Sequence, residues 1–387
     1  MTTATPVSLN EAVLNEALSG LTATPKTLSP WLFYDERGSQ LFEAITELPE
    51  YYLTRTERAL FATHADDILR EFLTPGAPST QVFRTPDPFT IAELGAGTAT
   101  KTGLLLAAAT RLQPNVLYQP IDVSASALEA AENLAATLPG LNVQPQVANY
   151  VTDPYTLRHP ANAAHSNGNG NSNGNGNGNG NGHHPGAPSS TTVSSSSKVG
   201  SKGPMGPTHT DPTPRARILA LYIGSSIGNF SPEDASSILR RLRSHLQPGD
   251  ALLLGADLSP SSHKSVSTIL AAYDDAAGVT AAFNLNILAR LNRDLDADFN
   301  LDAFIHRARW NANESRIEMH LESLIPQTVH IAGQRIPFAQ FETIHTESSY
   351  KFTDEALTHL LTRAGFTPTR TFHDPTRSFA LTLAHTL

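Results

Sequence analysis

Apolar residues along this chain fall into two alternating registers. Short apolar runs of strand length occupy Thr90 to Leu94, Leu117 to Asp122, Leu141 to Val147, Ile218 to Ile223, Ala251 to Asp257 and Ser378 to Leu383. Between them, Lys101 to Leu112 and Ala125 to Leu138 carry apolar residues at three- and four-residue spacing, which gives a helix one buried stripe. A third helix is expected from Ser231, a hydroxyl N-cap followed by Pro232, Glu233 and Asp234. It runs through Ile238, Leu239, Leu242 and Leu246 to the stop at Pro248 and Gly249. A fourth begins near Thr353 and ends at Gly365. Buried strands alternating with helices predict an α/β fold with a doubly wound sheet.

Residues 8–56 and 264–351 do not follow this alternation. They carry their own elements, including a long stretch from Tyr273 to Arg293 and a meander from Ala303 to Gln327. The expected organisation is one sheet domain from residues 57–263 plus 352–387, with a second, discontinuous α+β domain from residues 8–56 plus 264–351. The second domain should face the edge of the sheet where a cofactor sits, because clefts between domains are common substrate sites. Residues 161–214 break the pattern altogether. The Asn-Gly alternation from Asn167 to Gly182, then His183 and His184 and a Ser/Thr/Pro/Gly tract, offers little to bury, and a disordered surface insert is expected.

Composition narrows the possible functions. The 387 residues are 40% hydrophobic, enough for a substantial core, and no run approaches the length of a membrane span. The first residues lack the basic start and apolar core of a signal peptide, so a cytoplasmic, monomeric enzyme is expected. Cysteine is absent, which removes disulfides, thiolate metal sites and a cysteine nucleophile together. A net charge of −9 with no concentrated basic stripe argues against nucleic acid as a partner. Small-molecule chemistry without a metal is what remains.

The chemistry begins behind the first strand. Glu93 is followed by Gly95 and Gly97 and then by a predicted helix. Such a turn lets backbone approach an adenosine-bearing cofactor and points free N–H groups at it. Thr100 stands where a dinucleotide fingerprint has its third glycine, so hydride transfer is disfavoured and S-adenosylmethionine suits the loop better. Asp122 closes the second strand at the distance where an acid takes ribose hydroxyls, and Asn149 with Tyr150 follows the third, where an amide and a ring can hold adenine.

The turn after the fourth strand, Gly224 to Asn229, lies across the sheet's switch point from the glycine loop and faces the reactive end of a cofactor. Its letters also match G-x-S-x-G, which raises a hydrolase with Ser226 as nucleophile. A nucleophile elbow passes straight into its helix, whereas Asn229 and Phe230 intervene here before the cap at Ser231. In the second region, Glu347 and Ser349 share a face of a predicted strand by the two-residue period. An acid and a hydroxyl together can grip a substrate rich in N–H groups.

Several stretches carry a family resemblance: Tyr34 to Phe42, Leu48 to Glu57, Glu93 to Thr98, Ile223 to Phe230, Tyr273 to Asn284 and Ala297 to Phe304. In this order they resemble the L-histidine Nα-methyltransferases, S-adenosylmethionine-dependent enzymes that form trimethylated histidine, hercynine, in ergothioneine biosynthesis. The resemblance spans nearly the whole chain outside the Asn/Gly insert and implies a Rossmann-like class I methyltransferase sheet. It implies cofactor contacts at Tyr51, Gly95, Gly97, Lys101, Asp122, Asn149 and Tyr150; the family usually has aspartate where this chain has Asn149. It implies a histidine pocket of Tyr51, Asn229, Tyr273, Glu347 and Ser349, lined by Tyr34, Phe42, Gly224, Ser226 and Met319. Asn229 and Tyr273 would meet the substrate carboxylate, Glu347 and Ser349 its imidazole, and Tyr34 and Tyr51 would position the reacting amine. Another amino acid or amine as substrate, the serine hydrolase, and a silent adenosyl-ligand binding protein are the alternatives.

Overall fold

The computed structural model describes residues 9–76, 88–97, 99–159 and 216–386. The Asn/Gly insert, expected at 161–214, lies outside the described residues. The chain opens with helix α1 (Leu9–Thr22), the two-residue strand β1 (Lys26–Thr27), α2 (Glu36–Thr46) and the long α3 (Tyr52–Leu73). Strand β2 (Phe89–Leu94), α4 (Thr102–Leu112), β3 (Val116–Asp122), α5 (Ala125–Ala136), β4 (Leu141–Val143) and β5 (Gln146–Val147) form the first half of the main sheet and its cover. The second half comprises β6 (Arg217–Tyr222), α6 (Pro232–Ser244) and β7 (Ala251–Asp257).

An excursion follows: α7 (Val266–Tyr273), α8 (Val279–Leu295), β8 (Phe304–Asn311), β9 (Arg316–Ser323), β10 (Gln327–Ile331), β11 (Gln334–Phe338) and β12 (Thr343–Tyr350). The chain then returns to the main sheet through α9 (Asp354–Arg363), β13 (Thr367–His373) and β14 (Phe379–His385). The main sheet has the order β13-β14-β7-β6-β2-β3-β4, with β5 also pairing with β3. β2, β3, β4, β6 and β7 are parallel and β14 runs against β7. The chain moves outward from β2 through β3 to β4, then jumps back to β6 beside β2, so the switch point lies between β2 and β6, as a doubly wound sheet requires. Every residue of β2 and β7 is buried, which is why both are mostly apolar, with Thr90, Glu93 and Asp257 as buried polar exceptions.

Local signals start the helices where expected. Ser231 accepts from the Asp234 N–H at 3.2 Å, Thr353 from Ala356 at 3.1 Å and Ser124 from Ala127 at 3.2 Å. Other expectations need correction. The run Leu141 to Val147 is two short strands, broken around Pro145, which has no N–H to donate. The stretch from Tyr273 to Arg293 is not continuous, because Asp274–Gly278 separates α7 from α8; Gly278 at φ 74 precedes α8, and Asp275 accepts from the N–H groups of Val279 and Thr280. The meander also splits, since β8 and β9 join β12 and β1 in one sheet of order β1-β12-β9-β8 while β10 and β11 form their own two-stranded sheet.

The apolar core is correspondingly divided. One cluster unites Val13, Leu32, Phe33, Ile45 and Leu53 with Ile269, Phe283, Ile287 and Ile317, so the N-terminal helices pack on the excursion. Two others cover the faces of the main sheet, one including Leu60, Phe61 and Ile91, the other Leu94, Leu239 and Leu254. Helix α3 spans the junction, with Leu53 in the first cluster and Leu60 in the second. Its first turn therefore lies where the two layers meet.

Candidate active site

The glycine loop is built from the backbone outward. Gly95 (φ 69) and Gly97 (φ 51) occupy the left-handed region, where a Cβ is strained. The Gly95 N–H donates to Ile121 O at 2.8 Å, bending the chain across the end of β3. Asp122 holds the bend: its two oxygens accept from Gly97 N–H and Ser124 N–H, each at 2.9 Å. Tyr150 packs beneath, so that a Cβ added to Gly95 would lie 3.4 Å from its ring, whereas one on Gly97 would meet no protein atom within 4 Å. Glu93 is 1% exposed and accepts from Thr102 Oγ1 at 2.6 Å and from the Tyr118 hydroxyl. Burial pushes its carboxyl up to about 7 despite these two donors. Glu93 thus ties β2 to α4 and β3.

Asn149 has its Oδ1 occupied by the Val151 N–H at 3.0 Å. The free end of the amide is therefore Nδ2, a donor suited to a ring nitrogen of adenine. These residues line one cleft of about 1120 Å³ that also reaches Lys101, Tyr51, Tyr34, Gly224, Ser226 and Asn229. The open backbone at Gly97, the Asp122 carboxylate and the Asn149 donor fit an adenosyl cofactor.

A second cavity shares a wall with this cleft. Tyr34, Phe42, Tyr51, Gly224, Ser226 and Asn229 line both, and Tyr273, Met319, Glu347 and Ser349 line only the inner one. Every residue expected in the histidine pocket is thereby brought to one place from the segment before α2, α2 itself, the N-cap of α3, the β6 turn, α7, β9 and β12. Aromatic rings form one side: Phe42 lies 5.9 Å from Tyr34, 6.4 Å from Tyr51 and 6.0 Å from Phe283, while Tyr51 lies 6.3 Å from Tyr273. Burial pushes the Tyr34 and Tyr51 phenols well above their usual value, with negative neighbours such as Glu347 adding to it. Both phenols are therefore protonated at neutral pH in the ligand-free protein.

Glu347 owes its aim to an irregularity. The register between β12 and β9 shifts between His345 and Glu347, a bulge that redirects the strand. The His345 Nε2–H donates to the Glu347 carbonyl at 2.9 Å and staples it. Residue Glu347 is 9% exposed, and its carboxylate has no hydrogen-bond partner among the described residues. Burial pushes it up to about 7, against the pull of the Lys351 cation. Past the bulge the two-residue alternation holds, which brings Ser349 into the same cavity as Glu347. Its Oγ lies 2.8 Å from the Tyr273 hydroxyl.

Two charged groups at this site were not assigned from the sequence. Glu57, fully buried on α3, accepts from Lys101 Nζ at 2.5 Å and from the Gly224 N–H at 2.8 and 3.1 Å. It joins the glycine-loop side of the cleft to the switch-point turn. Lys351 donates to both Tyr273 Oη and Ser349 Oγ at 2.9 Å. Glu57 ends the Leu48 to Glu57 stretch and Lys351 lies two residues past Ser349, but Lys101, Gly224 and Tyr273, which they engage, are far away in sequence.

The Ser226 turn settles the hydrolase alternative on geometry. Ser226 Oγ donates to Ile223 O at 3.1 Å, and the left-handed residue is Ser225, at φ 58. Among the described residues no imidazole is bonded to Ser226, where a serine–histidine pair would have one. Ser226→Ala is expected to lower kcat/KM for methyl transfer by at most about tenfold, the worth of one neutral hydrogen bond. A loss beyond about 10⁴-fold in steady-state kinetics would instead mark a nucleophile.

A doubly wound sheet with an adenosyl cleft at its switch point and a polar amine-sized cavity against it defines an S-adenosylmethionine-dependent methyltransferase. The family model described as histidine-specific methyltransferase, SAM-dependent, matches residues 13–179 and 202–386. The chain belongs to this family. It is 36% identical over 380 residues to the histidine N-alpha-methyltransferase of Mycolicibacterium smegmatis, covering 97% of this chain and 96% of that one. Identity to the enzyme of the same name from Mycobacterium tuberculosis is 34%, over 96% of this chain and 94% of the relative. The ergothioneine biosynthesis protein 1 of Schizosaccharomyces pombe is 25% identical over 87% of this chain, which spans 36% of that longer protein. Among the described residues no helix is long and apolar enough to cross a membrane.

Proposed function

We propose that this protein methylates the α-amine of L-histidine three times in succession, with S-adenosylmethionine as donor, and so forms hercynine at the start of ergothioneine biosynthesis. Membership of the histidine-specific family and the near full-length relatives support the reaction. The name of the Schizosaccharomyces pombe relative supports the pathway. We read the enzyme as a cytosolic monomer, with the main sheet holding the cofactor and the excursion, together with the N-terminal helices, holding the substrate.

One observation carries the substrate: the buried, unpartnered Glu347 carboxylate beside the Ser349 hydroxyl. An imidazole offers an N–H and a lone pair on one rigid ring, so it answers an acceptor and a hydroxyl together. An apolar side chain would leave Glu347 buried and unpaired, which selects against it. Asn229 and Tyr273 are assigned to the substrate carboxylate, and Tyr34 and Tyr51 to positioning the amine.

Bound S-adenosylmethionine supplies an activated sulfonium methyl, so the protein needs no covalent step of its own. Gly95, Gly97, Asp122, Asn149 and Tyr150 would hold it. The protein's work is to align a neutral amine and exclude water. The aromatic wall of Tyr34, Phe42 and Tyr51 suits an amine that ends as a quaternary cation, since ring faces attract such ions. The test is mass spectrometry of a reaction with S-adenosylmethionine and histidine. Three stepwise methyl gains on the α-nitrogen are expected; no hercynine, with another amine methylated instead, would overturn the substrate assignment.

A further inference from the structure

Behind the substrate cavity lies a buried charged cluster that the reaction as described does not use. Asp257, fully buried at the end of β7, accepts from Lys264 Nζ at 2.7 Å and from the Tyr52 hydroxyl at 3.0 and 2.8 Å. Its other oxygen lies 2.9 Å from Lys351 Nζ, with both side chains at 0% exposure. Lys351 donates to Tyr273 Oη and Ser349 Oγ. Its cation therefore pairs with an anion of the main sheet on one side and hydrogen-bonds two hydroxyls of the substrate cavity on the other.

The geometry fixes which way two hydroxyls point. Lys351 occupies a lone pair on each of the two oxygens, which stand 2.8 Å apart. Whichever hydroxyl donates across that gap, the other keeps its hydrogen free, with no further partner among the described residues. The pair therefore offers the cavity a donor. Without the cation both hydroxyls would gain a vacant lone pair and could rotate. Charge makes a second link: Lys264 and Lys351 are two cations, Asp257 one anion, and Glu347 in the same cavity is the second anion.

We infer that Lys351 is a positioning residue for substrate selection: it fixes the Tyr273–Ser349 hydroxyl pair so that one of the two is held as a donor toward the substrate, and it supplies the countercharge for Glu347. This rests on reading the cavity as a histidine site. Lys264 is the internal control, because it is equally buried against the same aspartate but reaches Ser378 O instead of the cavity. Replacing either lysine leaves Asp257 paired with the other.

The experiment compares Lys351→Met and Lys264→Met by histidine KM, kcat and S-adenosylmethionine Kd. Lys351→Met is expected to raise the histidine KM by about 10- to 100-fold, the range of a charge-assisted hydrogen bond, with the cofactor Kd within about twofold. Lys264→Met is expected to lose thermal stability with its histidine KM within about twofold. Ser349→Ala combined with Lys351→Met should cost less than the product of the two single effects, because they remove one linked arrangement. If Lys351→Met fails to bind cofactor and so has not folded, Lys351→Gln is read by the same criteria. Equal KM changes at both lysines, an unchanged KM at Lys351, or strict additivity with Ser349→Ala would overturn the inference. A wild-type enzyme that makes no methylated histidine would overturn the functional reading instead, so the two failures are distinct.

Discussion

Replacing Glu347 with alanine is expected to raise the histidine KM by about 100-fold or more while the S-adenosylmethionine Kd stays within about twofold, because a site built around a polar partner loses most when that partner is gone. Residue Glu347 is 9% exposed and its carboxylate has no other described partner, so without it a bound imidazole N–H would be left buried and unsatisfied. Glu347→Gln keeps an acceptor oxygen and should fall between wild type and alanine. Equal loss of cofactor and histidine binding, measured by titration of each, would mean that Glu347 supports the fold and not the substrate.

The same residue sets a pH dependence. Its carboxyl titrates at about 7, raised above its ordinary value by burial and pulled back by Lys351. An acid with a raised folded value is protonated at and below that pH, so the histidine-accepting form is present above pH 7 and lost as pH falls through it. Of the titratable groups facing Glu347, Tyr34, Tyr51 and Tyr273 have values pushed well above 10 and stay neutral. Burial lowers His345 from its usual value, leaving its ring neutral as well. The histidine KM should therefore climb about tenfold for each pH unit below 7, with protonation of the free substrate's imidazole adding below about 6.5. Glu347→Gln should lack the inflection near 7. A variant that retains it would assign the inflection to another group.

Glu57→Ala should cost about 3–5 kcal/mol of stability, the range for breaking one side of a buried ion pair, and weaken cofactor binding at least tenfold. The substitution leaves Lys101 without its 2.5 Å partner and the Gly224 N–H without an acceptor, on both sides of the cleft at once. Gly255 shows how closely the carboxylate is fitted, since a Cβ added there would lie 2.3 Å from Glu57 Oε1. Glu57→Gln retains an acceptor for Gly224 and should lose less. Denaturant unfolding and cofactor titration give the two readouts. Wild-type values in both for the alanine variant would remove Glu57 from the frame of the site.

These two residues mark where reading the sequence stopped. That Glu347 shares a strand face with Ser349 was legible in the two-residue period, while its assignment to the imidazole came from the family resemblance. Glu57 was not, because an acid on an otherwise polar helix turn has the pattern of a solvated charge. Only its contact with Lys101, 44 residues away, and Gly224, 167 residues away, makes it a buried clamp. Asn149 shows an intermediate case: the amide was placed at the adenine end, but that Nδ2 is its free atom follows from the Val151 N–H taking Oδ1. The break within Tyr273 to Arg293 was missed because apolar spacing continues across Asp274–Gly278 while the backbone does not.

By itself the sequence determined the alternation of strands and helices, the glycine turn, the absence of thiol chemistry and the family, because each is carried by neighbouring residues or by motifs in order. Only the tertiary structure decided how the site is held. The bulge before Glu347, the Glu57 clamp and the cation of Lys351 behind Tyr273 and Ser349 depend on burial and on partners from distant segments. A charge is functional here through what desolvates and pairs it, and neither property is written in the residues beside it.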